Sequence, residues 1–181
     1  GIVNKRQSTC VNGQLDALQV TVAENNGTLK YQWYSATDTV SAALKLIKNA
    51  TTDKLQLTST VVGKKFYFCQ VYQSIKGCDV LSEPFEVQVY KTPVITQQPN
   101  SGLVCLSDSA HSLQVKIDGG GDVVNYQWYS CADALYGQES VIEGATSSKL
   151  SLRLQSGGIQ YYFCRITFGT NNCASLQTKV A

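Results

Sequence analysis

The sequence predicts an all-β protein built as two tandem β-sandwich domains, and three observations carry that expectation. Apolar and polar residues alternate along several short segments, Gly- and Asn-rich turns separate them, and the first half of the chain recurs in the second at a fixed spacing. Of the 181 residues, 43% are hydrophobic and 15% charged, the balance of a chain that buries a core rather than a disordered one. The formal charge of +2 comes from 15 basic and 13 acidic residues, and no stretch gathers the basic ones. Neither a nucleic acid nor an anionic membrane surface is therefore an expected partner. No run approaches the ~18 apolar residues of a membrane span. One histidine, His111, and no methionine leave little material for acid–base or metal chemistry.

The repeat sets the organisation. Tyr31-Gln32-Trp33-Tyr34-Ser35 returns as Tyr126-Gln127-Trp128-Tyr129-Ser130, an offset of 95. Cys10 and Cys105, Cys69 and Cys164, and Cys78 and Cys173 share it, as do Leu18-Gln19-Val20 and Leu113-Gln114-Val115. Between positions 10 and 78, 21 of 69 residues are identical to their counterparts without a gap. A period of this length suits an independent small domain rather than a solenoid repeat. The junction falls at Tyr90-Lys91-Thr92-Pro93, where a proline that cannot donate to a ladder ends an alternating strand. The expected domains are 1–91 and 92–181. Gly1 matches Thr96, so the first domain is expected to lack the front of its first strand. The chain reads as part of a longer, multidomain protein.

Each element follows from local pattern. Leu18–Val22 alternates, Tyr31–Tyr34 is aromatic and β-prone, Leu55–Leu57 alternates again, Phe66–Tyr72 is a long strand, and Val87 and Val89 close an alternating one. The second domain opens with Pro93–Pro99 and repeats the series as Leu113–Ile117, Tyr126–Tyr129, Leu150–Leu154 and Tyr161–Phe168. Asn25-Asn26-Gly27, Gly119-Gly120-Gly121 and Gly157-Gly158 punctuate them. The best helical candidate, Val40–Leu44, is short enough to be a loop turn.

A strand-B residue, a strand-C tryptophan and a strand-F Tyr-x-Cys occur in the order Val20, Trp33, Tyr67-Phe68-Cys69, and again as Val115, Trp128, Tyr162-Phe163-Cys164. This order resembles the immunoglobulin fold. The resemblance implies that Trp33, Trp128, Cys69 and Cys164 lie in the cores and that Tyr67 and Tyr162 are tyrosine-corner residues. It departs from the family at Val20 and Val115, where the inter-sheet cysteine would stand. A second set of motifs runs Pro93-x-Ile95-Thr96-x-x-Pro99, Cys105, Tyr126–Tyr129, Ile142-Glu143-Gly144-Ala145-Thr146 and Tyr161–Cys164, with Ile47-Lys48-Asn49-Ala50-Thr51 in the first domain. Their order is similar to the immunoglobulin-like repeats of surface proteins from Bacteroidetes-type bacteria. That resemblance implies an exported, extracellular or cell-surface, modular protein.

Seven cysteines suggest an oxidising compartment. Cys69 and Cys164 fall on the inward side of a core strand and are expected to be buried free thiols. Cys10 and Cys78 lie near the first and last strands, so a Cys10–Cys78 disulfide is one pairing, with Cys105–Cys173 as its copy. The competing pairing is Cys69–Cys78. Cys131, opposite Ala36 in the repeat, is expected to be a free thiol at a strand end. No Cys-x-x-Cys pair supports zinc.

No catalytic constellation is expected. His111 precedes a strand as a turn residue, Gly119–Gly121 is a turn and not a phosphate cradle, and Asp38 and Asp133 recur as loop caps. Function is expected at the loops, which differ most between the domains. Ile75, Leu135, Tyr136 and Phe168 are apolar residues in predicted loops: contact candidates if exposed, sandwich-end packing if not. The sequence thus points to a non-enzymatic binding or adhesion module of a bacterial surface protein, with a structural spacer as the alternative. No cofactor is expected, and a protein or glycan is the expected ligand class.

Overall fold

The computed structural model describes residues 2–3 (backbone only), 5–23, 28–39, 43–73, 79–105, 111–169 and 172–181. It divides into two compact units, Gly1–Tyr90 and Lys91–Ala181. The first holds β1 (Ile2–Val3), β2 (Arg6–Cys10), β3 (Leu18–Val20), β4 (Leu29–Ala36), β5 (Lys45–Leu46), β6 (Lys54–Leu55), β7 (Gly63–Gln73), β8 (Asp79–Leu81) and β9 (Phe85–Tyr90). The second holds β10 (Val94–Gln97), β11 (Ser112–Gln114), β12 (Lys116–Asp118), β13 (Val124–Cys131), β14 (Ser140–Val141), β15 (Lys149–Ser151), β16 (Tyr161–Phe168) and β17 (Leu176–Gln177). No helix occurs among the described residues, and the helical candidate at 40–44 lies mostly outside them.

In the first unit, β1-β3-β6 forms one sheet and β2-β9-β7-β4-β5, with β8 also on β7, forms the other. Period-two alternation turns every second side chain of each sheet inward. Leu18, Val20 and Leu55 from one sheet thereby meet Trp33, Cys69, Phe85 and Val87 from the other. Trp33 is fully buried, stands opposite Cys69 in the β4–β7 ladder, and has the Phe85 ring at 5.5 Å. β2 runs parallel to β9, from Arg6 beside Glu86 to Cys10 beside Tyr90. On the outer side of this edge Glu86 binds Lys64 at 2.9 Å and Arg6 at 3.0 Å. The hydrogen bond from Lys64 holds its carboxyl below the usual carboxylate range.

The second unit repeats the core with Leu113, Val115, Trp128, Leu150, Cys164, Ile166 and Phe168. Two departures matter. The stretch Leu113–Ile117, which alternates like one strand, is two, because β11 pairs with β15 while β12 pairs with β10. Val115 sits at the crossover and donates its N–H to Ser148 O, as Val20 does to Asp53 O. The offset also changes after the last hairpin. Ser82 N donates to Cys69 O in the first unit and Thr178 N to Cys164 O in the second, an offset of 96. Gln70 faces Leu81 and Arg165 faces Gln177, the same offset. One extra residue in that hairpin therefore displaces the last segment by one position, and Ala181 takes the lane of Phe85. Tyr67 pairs with Phe85, while Tyr162 exchanges both backbone hydrogen bonds with Ala181 at 2.9 and 3.0 Å.

The Tyr-Gln-Trp and Ile-x-Asn/Gly-Ala-Thr motifs are two halves of one clamp. Trp33 Nε1–H donates to Thr52 O and Trp128 Nε1–H to Ser147 O, both at 2.8 Å. The preceding glutamine amide donates to two carbonyls: Gln32 to Trp33 O and Ile47 O, Gln127 to Trp128 O and Ile142 O, at 2.9–3.0 Å. Ala50 N and Ala145 N close the turn onto Ile47 O and Ile142 O. The third turn residue is left-handed, with φ 61° at Asn49 and 74° at Gly144, which explains why that position takes asparagine or glycine. The expected tyrosine corner differs: the Tyr162 hydroxyl donates to the Gln160 side chain rather than to upstream backbone.

Cys69 and Cys164 are fully buried free thiols, which rules out the Cys69–Cys78 pairing. Cys10 and Cys173 are each disulfide-bonded. Cys78 lies outside the described residues. The expected Cys105–Cys173 bridge does not form. Cys105 is exposed in a strandless stretch, with no described counterpart of the β2–β9 ladder to carry it to the last hairpin. Cys131 is a half-exposed thiol at the end of β13 and donates to Asp133 O.

Replacing Gln127 by leucine removes one of the two donors on each of Trp128 O and Ile142 O, two hydrogen bonds in all, and should cost the second unit about 1–3 kcal/mol. Gly144→Ala should cost about 1 kcal/mol through its left-handed φ. Both should lower the urea midpoint of that unit's transition, and an unchanged midpoint for Gln127→Leu would contradict the clamp. Burial pushes the Cys69 and Cys164 thiols up to about 11, so both stay protonated and unreactive at pH 8. Iodoacetamide at that pH, read by peptide mass spectrometry on the native chain, should label Cys131 well before either of them.

Candidate functional site

The outward side of the β13–β16 pair in the second unit carries a connected set of polar and aromatic side chains. Inward positions of β16 are Cys164, Ile166 and Phe168, so Phe163 and Arg165 point outward. Phe163 is nevertheless fully buried. Tyr129 stacks on it at 5.1 Å with an interplanar angle of 10°, and Tyr136 meets it edge-on at 5.0 Å. Arg165 lies 4.7 Å from the Tyr129 ring centroid and 5.3 Å from that of Phe163. Its guanidinium also holds Glu139 through both carboxylate oxygens, at 2.6 and 2.8 Å, and Gln177 Oε1 at 3.0 Å. The Glu139 hydrogen bond keeps Arg165 above its ordinary pKa. With its donors committed, Arg165 orders this face and is not an open anion site.

The loop between β13 and β14 is built onto that face. Asp133 Oδ1 accepts from Leu135 N at 2.8 Å and Gly137 N at 3.0 Å, and Ala132 N donates to Gly137 O at 2.8 Å. A Cβ on Gly137 would stand 2.5 Å from Asp133 Oδ2, so a larger residue there would have to displace the capping carboxylate. Tyr136 and Gln138 adopt left-handed φ of 62° and 46°, a strain that needs compensation. The Asp133 bonds, the Phe163 contact and the Tyr136 hydroxyl on Thr178 O at 2.9 Å supply it. The product is a fixed loop with Leu135 at its tip, 85% exposed. Asp133 thus acts as the loop cap that its position in the sequence suggests.

The other predicted contact residues fall differently. Phe168, a contact candidate from its place beside the hairpin tip, is buried at 4% exposure. It is the last inward position of β16, and its ring lies where a Cβ on Gly120 would be, 2.2 Å away. Phe168 is therefore withdrawn as a surface contact. Tyr136 is half-buried and bonded, Leu135 alone projects, and Ile75 lies outside the described residues. Sequence reading misses Arg165, Glu139 and Gln177. Its usable signal is an aromatic followed two residues later by a cation on the outward side of a strand.

His111 is half-buried, and its carbonyl accepts from Leu152 N. Among the described residues no group of three or more His, Cys, Asp or Glu could hold a metal ion. Among them, too, no helix is long and apolar enough to cross a membrane.

No family model matches the chain, and no curated protein matches it. Solved structures do. A titin I-band fragment, I67–I69, aligns with TM-score 0.58 at 16% identity, covering 96% of this chain and 60% of the fragment. A 282-residue C-terminal intimin fragment, solved with the intimin-binding domain of the translocated intimin receptor, aligns with TM-score 0.47 at 20% identity, covering 96% and 61%. Extracellular domains 3–5 of Drosophila OTK align with TM-score 0.44 at 14% identity, covering 95% and 56%. The chain thus spans about 60% of the titin and intimin fragments it resembles. At these identities the likeness is one of fold, and the titin alignment carries it: the chain is all-β, with tandem immunoglobulin-like sandwiches.

Proposed function

We propose that this chain is a binding segment of an exported bacterial surface protein, in which paired immunoglobulin-like units present rigid loops to a protein or glycan. The observation that supports binding over spacing is Leu135. An apolar side chain stands in water at the tip of a loop whose backbone strain is balanced by four separate interactions. A loop serving only as a connection gains nothing from such order, whereas a contact residue held in place loses less entropy on binding. Disulfide-bonded Cys10 and Cys173 support an oxidising, extracellular location. The bacterial assignment rests on the order of motifs from Pro93 to Cys164. No catalytic role is proposed.

The test is a binding array of glycans and extracellular-matrix proteins probed with the full chain and with Leu135→Asp. Loss of a specific signal by about tenfold or more in the variant, with tryptophan emission unchanged, is the expected result. Retention of every signal by Leu135→Asp would reject the loop as the contact. A chain that binds nothing on the array would favour the spacer reading.

A further inference from the structure

We propose that Lys91–Thr92, where the first unit gives way to the second, is a latched cleavage site: the fold holds this peptide bond back from proteases specific for basic residues, and the latch is the Asp118-Gly119-Gly120 turn of the second unit. Cleavage there is simple hydrolysis. One water adds across the amide, leaving a carboxyl group on Lys91 and an amino group on Thr92. The position has the marks of a substrate. Lys91 and Thr92 are exposed, neither belongs to a strand, and a lysine stands on the acyl side of the bond. Segments of this kind are where folded chains are nicked.

Backbone, side chain and close packing take the bond out of reach. Lys91 O accepts from Gly120 N at 2.9 Å. Lys91 Nζ pairs with the Asp118 carboxylate, and this hydrogen bond holds that carboxyl below its usual range. A Cβ on Gly119 would stand 2.6 Å from Thr92 O and 2.8 Å from Lys91 O, so the backbone of the turn lies directly on both carbonyls. Gly119 and Gly120 have φ of 86° and 87°, a conformation that glycine adopts without strain. The turn is seated on the core in its own right, because a Cβ on Gly120 would meet the ring of buried Phe168 at 2.2 Å. The shared fold does not demand these glycines: the repeat positions of Gly119-Gly120-Gly121 are Glu24-Asn25-Asn26.

The flanks are held as well. Upstream, Tyr90 ends β9, and its carbonyl accepts from Val11 N at 3.0 Å inside the first unit. Downstream, Pro93 is buried and Val94 opens β10 opposite Asp118. A protease needs several consecutive residues extended and unpaired. Cleavage must therefore wait for local opening, and its rate reads the population of the open state. The exposed ion pair contributes little to keeping the latch shut. The backbone bond and the close contact at Gly119 carry most of it.

The experiment digests the full chain and a peptide copying residues 86–97 with trypsin under native conditions, and follows the fragments by mass spectrometry after reduction. The Lys91–Thr92 bond should be cut about 100-fold or more slowly in the chain than in the peptide. Gly119→Ala should speed cleavage at that bond about tenfold or more with tryptophan emission unchanged. Asp118→Ala should speed it about two- to fivefold. Should Gly119→Ala alter the tryptophan emission, Asp118→Ala and the comparison with the peptide decide. Equal rates for chain and peptide overturn the proposal. So does a rate no higher than the parent's in Asp118→Ala or in a natively fluorescent Gly119→Ala.

Discussion

Each unit depends on one hydrogen-bonded indole. A tryptophan buried at 0% exposure must satisfy its Nε1–H, and only a carbonyl brought to it by the chain can do so in a dry core. Thr52 and Ser147 provide that carbonyl. Placing it requires the left-handed turn at Asn49 or Gly144, and the turn is fastened by the amide of the glutamine that precedes the tryptophan. The positions of the strand, the turn and the opposite sheet are thereby fixed together. The cores can then dispense with an inter-sheet disulfide. Val20 and Val115 face thiols at Cys69 and Cys164 that burial keeps protonated.

Shared cores leave the rims free to differ, and the two units differ there. The first covers its edge with β9 and β2 and lays charge across them. The second places Ala181 beside Tyr162 in the corresponding lane. On its other side it folds the β13–β14 loop over Phe163, so that an outward aromatic becomes buried and a single leucine is displayed. Apolar area on the outer side of this sheet is covered by the chain's own loop.

Much of this is legible in the sequence. The alternation, the repeat and the buried tryptophans follow from period-two patterning, which a sandwich enforces on every strand. Free Cys69 and Cys164 follow from their inward register. The features that are not legible depend on pairings that no local pattern encodes. Phe168 looks like a hairpin-tip residue until the ladder with β13 extends to Val124. The split at Val115 reflects which strand each half pairs with, not its composition. The one-residue insertion that sets Ala181 in the lane of Phe85 is invisible to a gapless alignment ending at Cys173. Arg165 sits in an ordinary alternating strand, and its role appears only when Glu139 and Tyr129 arrive from other elements.

Hydrogen exchange of the two indole N–H protons, followed by NMR on the full chain in deuterated buffer, tests the clamp most directly. The account predicts that both protons exchange as slowly as the central amides of β7 and β16, because releasing either requires opening a core. Exchange of either indole proton within the dead time, while those amides stay protected, would show that the tryptophan is not held by its turn.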